Sequence, residues 1–497
     1  MNTAKWNNLL QDERLFGAAL LISVVPLWLT PFLPFVDLPQ HVALVAGIHE
    51  LFRGNPLFVA DFEINWFTPY LAGYFLLFVL SSVMPIIIAS KLALSMAIIA
   101  FPWITGILLR EIGADQRLKW LAIPSGYSFA VYWGFFTYAL AIPLAIGLLV
   151  LTVRFERAPT TRKAIGVALY AVALFFCHAI ALGCASFLSL AYIGAKRWRS
   201  PKDLILCYLP YTAPLPVIAL WTFRVFEAEA SVQDSPILFG TVRERLTTLF
   251  LQFAGLDAAA FGVALLIVVI VLFLPLLLGC RLTKRPERWL LFAAGVGLYA
   301  VFPTYAQATA FLYQRIAVFV IPVWLVLWEP PERENRLFVP AVLVMLVAWW
   351  SVNTVRFRDF GRDTELFSEV LAEVPAGGHL AGMLLCNASP HFSNPVYLHY
   401  ASWYQAVAGG VTDNSFALVY LSPIRYKDMA RPRVGDTLAW YPQDFSWARD
   451  GGDLYDYYLV CSGVDAAEAI FKEQVAAVDL IAQNGPWWLY EKVADSH

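Results

Sequence analysis

Residues 36–41 read VDLPQH. Asp37 and His41 are four apart, so on a helix they share one face. A carboxylate can take the proton of an attacking hydroxyl, and an imidazole beside it can orient that hydroxyl, shuttle a proton or help hold a metal. Asp37 also has a plainer use: Leu38 and Pro39 can open a helix, and Asp is a good N-cap. His49, two turns on, is too far round the helix to make more than a weak three-ligand metal site. Further polar residues fall at the ends of apolar runs. Asp61 and Glu63 precede the aromatic stretch that begins with Trp66 and Tyr70. His178 interrupts FFCHAIA, where a satisfied turn residue is the plain alternative, and Arg315 lies in FLYQRIAVF. Arg243 and Arg245 follow another apolar run. Arginine grips phosphate through two parallel hydrogen bonds, and at a bilayer boundary it also snorkels to lipid phosphate. Trp66, Tyr70, Tyr74, Trp133 and Tyr138 can stack on a sugar or sit as ordinary interfacial aromatics.

These residues must be positioned by a membrane protein. The 497-residue chain is 59% hydrophobic and 14% charged, with a mean hydropathy of +0.62. Soluble domains average about 45–50% apolar and about 25% charged. Its net charge of −2 gives no pointer to nucleic acid. Residues 15–35 are too long for the core of a cleavable signal and lack its small-residue cleavage pattern, so they read as a retained first span. With about 20 apolar residues per crossing, about eleven spans are expected, at 15–35, 86–108, 120–135, 137–153, 164–177, 179–195, 203–224, 257–280, 289–306, 316–328 and 336–352. Lys and Arg gather in alternate loops: Arg110, Arg117 and Lys119; Arg154, Arg157, Arg162 and Lys163; Lys196, Arg197, Arg199 and Lys202; Arg281, Lys284, Arg285 and Arg288; Arg333 and Arg336. Such loops are cytoplasmic. That puts the N-terminus, with Lys5 and Arg14, inside, and the C-terminal part outside. Residues 66–84 then lie along the outer surface; if they span instead, the N-terminus and the VDLPQH loop change sides.

After residue 352 the long apolar runs end. LAGMLLC, DTLAWY, DYYLVCS and PWWLYEKV read as strands, and DTELFSEVLAEV and DAAEAIFKEQVAAV as helices. The division expected is a transmembrane catalytic domain over 1–352 and a small α/β periplasmic domain over 353–497. Four of the six cysteines lie in apolar runs; Cys386 and Cys461 lie in the polar part and can pair if it is outside the cell.

The order of these features resembles the GT-C class of integral-membrane glycosyltransferases, which use polyprenyl-phosphate-linked sugars. The shared features are an acid at the outer end of the first span, a long outer loop with surface-lying helices, a short hairpin with a polar tip, a late span opened by Arg and a C-terminal outer domain. DLPQHVALVAGIHEL resembles the D-x-P-x-H start of little-characterised bacterial members. The resemblance implies that Asp37 is catalytic and that Arg315 contacts the lipid-linked phosphate. As individual positions it reaches only Asp37, His178 and Arg315; His41, Asp61, Glu63, Trp66, Tyr70, Arg243 and Arg245 are substrate-binding candidates by their own position and chemistry. Leu38 stands where the class usually has a second acid, so a divalent metal is an open alternative that no acidic pair supports, and no other cofactor is expected.

The function expected is inverting transfer of a hexosyl or pentosyl group from a polyprenyl-phosphate donor to a hydroxyl of a glycan, lipid or polysaccharide, at the outer face of a bacterial inner membrane. The alternatives are another lipid-linked group transferase and a transporter or flippase. A transporter would carry its polar residues at mid-bilayer in repeated halves, whereas here Lys91 is the main mid-span charge and no repeat is visible.

Overall fold

The computed structural model describes residues 10–228, 235–307, 309–332, 337–427 and 436–493. Lys5, Arg333 and Arg336 lie outside them. The chain divides into two compact units, one of Met1–Pro26, Leu94–Val131 and Thr137–Thr354, the other of Leu27–Ala93, Tyr132–Phe136 and Val355–His497.

Among the described residues, five helices are long and apolar enough to cross a bilayer: Ile86–Ile112, Phe136–Arg157, Ala179–Arg197, Ala258–Leu277 and Phe338–Ala372. Pro201–Thr212 and Leu215–Val225, bent by 46°, would make a sixth. Elsewhere the expected spans are built from shorter pieces. Residues 15–35 contain the helix Glu13–Ser23 and the 3-10 turn Val25–Trp28. Residues 120–135 are short turns, with Pro124 and Gly126 preventing a continuous helix. Thr161–Cys177 and Pro286–Val301 are helices of 17 and 16 residues. In the stretch 66–84 only Leu71–Ser81 is helical, 11 residues long. At 1.5 Å per residue that is about 16 Å, short of the about 30 Å of a hydrocarbon core.

In the first unit, ion pairs join the basic loops to one another. Glu111 pairs with Arg154 at 2.8 Å and Arg157 at 3.3 Å. Arg197 reaches Glu156 at 3.0 Å, and Lys196 reaches Glu287 at 3.5 Å. The fully buried Arg288 donates to the Ile112 carbonyl, and Arg281 pairs with Glu332. Loops near residues 111, 155, 197, 285 and 332 therefore meet at one end of that unit.

The second unit is organised by a five-stranded mixed sheet in the order Val478–Asn484, Trp487–Lys492, Tyr457–Cys461, His379–Leu384, Val411–Thr412. The first three strands run antiparallel, and the last three run parallel to each other. Its core packs Met383, Phe445, Tyr458, Val460, Phe471 and Tyr490. Three expectations for residues after 352 differ. DTLAWY is not a strand: Asp436–Trp440 is a short helix that buries Leu438 and Ala439 as neighbours, which a strand would point to opposite faces. DTELFSEVLAEV is not a separate helix but the end of the 35-residue Phe338–Ala372, because no Pro or Gly run breaks the helical register at 353. DAAEAIFKEQVAAV is helical only over Ala467–Phe471, continues as 3-10 to Ala477 and then enters the sheet.

Residues 36–84 belong to this second unit. Phe62–Ile64 pairs antiparallel with Ile424–Tyr426, and Asn65 and Thr68 donate to the carbonyls of Tyr420, Leu421 and Ser422. Helix Ser402–Ala408 packs on helix Leu38–Arg53, where Gln405 donates to the Ala43 carbonyl at 2.8 Å. Cys386 and Cys461 are joined as a disulfide with Cα atoms 5.4 Å apart, tying the segment after His379–Leu384 to the end of the neighbouring strand. Replacing both cysteines by Ser should lower stability by about 2–4 kcal/mol. The measurement is the Tm of the full-length protein, and an unchanged Tm would show that the cross-link constrains little.

Candidate functional site

Asp37 begins the helix Leu38–Arg53, with Pro39 in its first turn. The plain reading made it a capping residue. Its backbone is instead αR (φ −90°, ψ −7°), and its side chain makes no capping hydrogen bond. A capping side chain requires an extended N-cap backbone. What sets the conformation is the segment 132–136. The Asp37 N–H donates to the Trp133 carbonyl at 2.9 Å. Gly134, at φ +86°, lies so close that a Cβ there would fall 2.7 Å from the Asp37 nitrogen and 2.6 Å from the Leu38 nitrogen. Trp133 packs against the buried cluster of Val36, Leu398 and Ala439.

The Asp37 carboxylate faces a residue that the sequence reading missed. His399 Nε2 lies 3.6 Å from Asp37 Oδ1. Both residues are over nine-tenths buried, and His399 Nδ1 has no hydrogen-bond partner. Burial pushes His399 down to about 4; the nearby carboxylate works in the opposite direction. At neutral pH the imidazole is therefore uncharged. No local pattern could have revealed this pair, since 362 positions separate its members in the sequence.

Around the pair, His41 Nδ1 shares a 2.6 Å hydrogen bond with the Tyr74 hydroxyl. The Phe416 ring presents an edge to both imidazoles, 5.6 Å from His41 and 5.4 Å from His399. Gln40 fixes the Phe416 loop by accepting from its N–H at 3.0 Å and donating to the Asn414 carbonyl. A carboxylate with a neutral imidazole beside it and an aromatic wall can accept a proton from a hydroxyl brought against it.

The other expected residues fall elsewhere. Glu63 pairs with Arg425 at 2.6 Å across the small strand pair. Asp61 lines a separate cavity of the same unit. Trp66 is exposed and lies edge-on to Phe52, and Tyr70 precedes the helix Leu71–Ser81. In the first unit, His178 joins two helices, and its Nδ1 accepts the Ile180 N–H at 3.2 Å, so it serves there as a cap. Its ring meets Tyr138 at 4.8 Å, and the Tyr138 hydroxyl donates to the Arg315 carbonyl at 2.9 Å. The Arg315 guanidinium gives one N–H to the Ala310 carbonyl at 3.2 Å. Arg245 donates to the Tyr299 and Phe302 carbonyls, both at 2.7 Å, and lies over Tyr313, while Arg243 is exposed. Among the described residues, no three His, Cys, Asp or Glu side chains converge in a way that could hold a metal.

No protein-family model matches the chain, and no curated protein sequence matches it. Solved structures do. ArnT from Cupriavidus metallidurans bound to undecaprenyl phosphate matches with a TM-score of 0.56 and 11% identity, over 97% of this chain and 98% of that one. The apo state of the same protein matches at 0.58 and 11%, over 99% and 98%. The chain has the fold of ArnT. The likeness is one of fold, over nearly the whole length of both chains.

Within this ArnT fold, the close approach at Gly134 is what holds Asp37 out of a capping conformation. Gly134→Ala should destabilise the protein by more than about 1 kcal/mol, since Ala there meets both a positive φ and backbone atoms. A Tm equal to wild type would show that the segment can move away freely.

Proposed function

We propose that the chain transfers a sugar, with inversion, from a polyprenyl-phosphate-linked donor to an acceptor hydroxyl at the outer face of a bacterial inner membrane. The observation that carries the proposal is the Asp37 carboxylate, buried at the head of its helix, not used as a cap, and set beside a neutral His399. The fold shared with ArnT, a solved structure of which holds undecaprenyl phosphate, supplies the donor class.

In this reading Asp37 removes the proton of the acceptor hydroxyl as its oxygen attacks the anomeric carbon. The bond to the phosphate oxygen breaks, and the polyprenyl phosphate leaves with the electron pair. That leaving group is a stable anion, so it needs charge neutralisation more than a proton. Arg315 is assigned to it, with His178 and Tyr138 supporting that stretch of chain and Arg243 available from solvent. His41 and His399 orient the acceptor, and Trp66 and Tyr70 are assigned to contacts with sugar or lipid. The isoprenoid tail stays in the bilayer while its sugar reaches the outer water layer, which is why ionisable groups stand where an apolar run ends.

The orientation proposed keeps the N-terminus inside and residues 353–497 in the periplasm, with residues 1–352 as the transmembrane catalytic part. Two observations support it. The basic loops meet at one end of their unit, as a common cytoplasmic side requires. The Cys386–Cys461 disulfide suits an oxidising compartment.

Asp37→Asn preserves shape and removes the base. Sugar transfer should fall about 10²–10⁴-fold with an unchanged Tm; near-wild-type transfer by the folded variant would sink the assignment. For the donor, Arg315→Ala and Arg315→Lys should both slow turnover, because an ammonium does not reproduce the guanidinium fork. Wild-type rates at limiting donor would mean that the phosphate is held by other residues.

A further inference from the structure

A cavity of about 490 Å³ in the second unit takes no part in the chemistry above. It falls within the range of small-molecule sites, about 300–1,000 Å³. One wall comes from the edge strand Val411–Thr412 and the residue after it, Asp413. The end of helix Pro56–Asp61, with Asp61, also lines it. So do Tyr426, Tyr455 and His379, the last 3.7 Å from Asp456.

Its chemistry is specific in two respects. Two carboxyl groups line it, and among the described residues no lysine or arginine does. Lys427, the nearest basic residue in sequence, is bound to the Val59 carbonyl instead. The Asp413 carboxyl is held by backbone donors, among them the Gly382 N–H at 3.4 Å. Burial pushes it up to about 7 in spite of those donors. A ligand hydroxyl would add a further donor to this carboxyl.

We infer that this cavity binds a neutral saccharide unit, the hydroxyls of which donate to Asp413 and Asp61 while its less polar face lies against Tyr426 and Tyr455. Hydroxyl-to-carboxylate hydrogen bonds are the strong, short kind, and aromatic rings offer an apolar face with a polar edge. Thr412 adds a hydroxyl that both donates and accepts. Above about pH 7, where Asp413 carries its charge, this lining, with no cation among its described residues, would repel an anionic sugar, so binding is compared at pH 8. The role that follows, holding a non-reacting sugar of the acceptor glycan, rests on the transferase reading; the binding itself does not.

The test uses full-length protein in nanodiscs and saturation-transfer NMR with lactose, cellobiose and N,N′-diacetylchitobiose, with digalacturonic acid as the anionic counterpart. At least one neutral disaccharide should bind, and digalacturonic acid should not. Asp413→Asn and Asp61→Asn should each weaken that binding about tenfold, the loss of one charged hydrogen bond. Asp413→Asn also serves as the folding control. The raised folded-state value means that wild-type stability declines as pH rises from the ordinary carboxyl range through about 7. The amide escapes that decline, so the variant should melt at or above the wild-type Tm at pH 8. Asp37→Asn should bind the disaccharide as wild type does. The inference is overturned if no neutral disaccharide binds, if binding survives both substitutions, or if digalacturonic acid binds equally well. Lost transfer with intact saccharide binding would count against the transferase reading alone; Asp37-dependent transfer without saccharide binding would count against this cavity alone.

Discussion

The close backbone approach between Gly134 and the start of helix Leu38–Arg53 is the constraint on which the site depends. It gives the Asp37 N–H a partner in the Trp133 carbonyl, which fixes the backbone of residue 37 away from the extended N-cap conformation. It also excludes a side chain from the space beside residues 37 and 38. The carboxylate remains at the positive end of the helix, where the macrodipole favours an anion by about 0.3–1 kcal/mol. Under the proposed reading, a carboxylate kept from capping can take the proton of an attacking hydroxyl. The same geometry would be wasteful in a helix start that served only stability, where an extended N-cap contributes about 1 kcal/mol.

The remaining polar groups are accounted for by asking what each already does. Glu63 is taken up by Arg425, Arg245 by two carbonyls and a ring, and His178 by the cap it makes. Lys91, the mid-span charge that a transporter reading would single out, donates to the Thr30 carbonyl and lies near Trp28. A charge bound in this way is a structural element rather than a step on a transport path. By contrast, Asp37 and His399 are paired in a buried position, and burial raises the Asp413 carboxyl. Burial disfavours a charged carboxylate and a charged imidazole alike. Their persistence in buried, walled positions is a stronger pointer to chemistry than their exposure would have been.

Much of this was legible in the sequence because membrane and core patterning are local. Apolar runs marked Ile86–Ile112, Phe136–Arg157 and Ala179–Arg197, and alternation marked His379–Leu384, Tyr457–Cys461 and Trp487–Lys492. Asp37 stood out by its place at the end of a run. What failed locally was period and length. Leu438 and Trp440 imitate a strand within a five-residue helix. The long helix Phe338–Ala372 changes from apolar to charged residues part-way without any breaker, so a change of composition was read as a change of element. His399, the Phe62–Ile64 strand pairing and the Asp61–Asp413 cavity join residues more than 300 positions apart, and no window of sequence contains both members.

That distance bears on how the chain divides its labour. The segment at the head of helix Leu38–Arg53 supplies Asp37, Gln40 and His41, yet the groups that fix or face them, His399, the Asn414 carbonyl and Phe416, come from beyond residue 390. A polar C-terminal region that merely decorated a membrane enzyme would have no reason to place a buried, uncharged imidazole against the acid of the first loop. Here the loop and the C-terminal chain share strands, hydrogen bonds and a core within one compact unit. The carboxylate is therefore held by tertiary structure from both ends of the sequence. A base aligned within a fraction of an ångström needs that rigidity, and a surface loop on its own does not provide it.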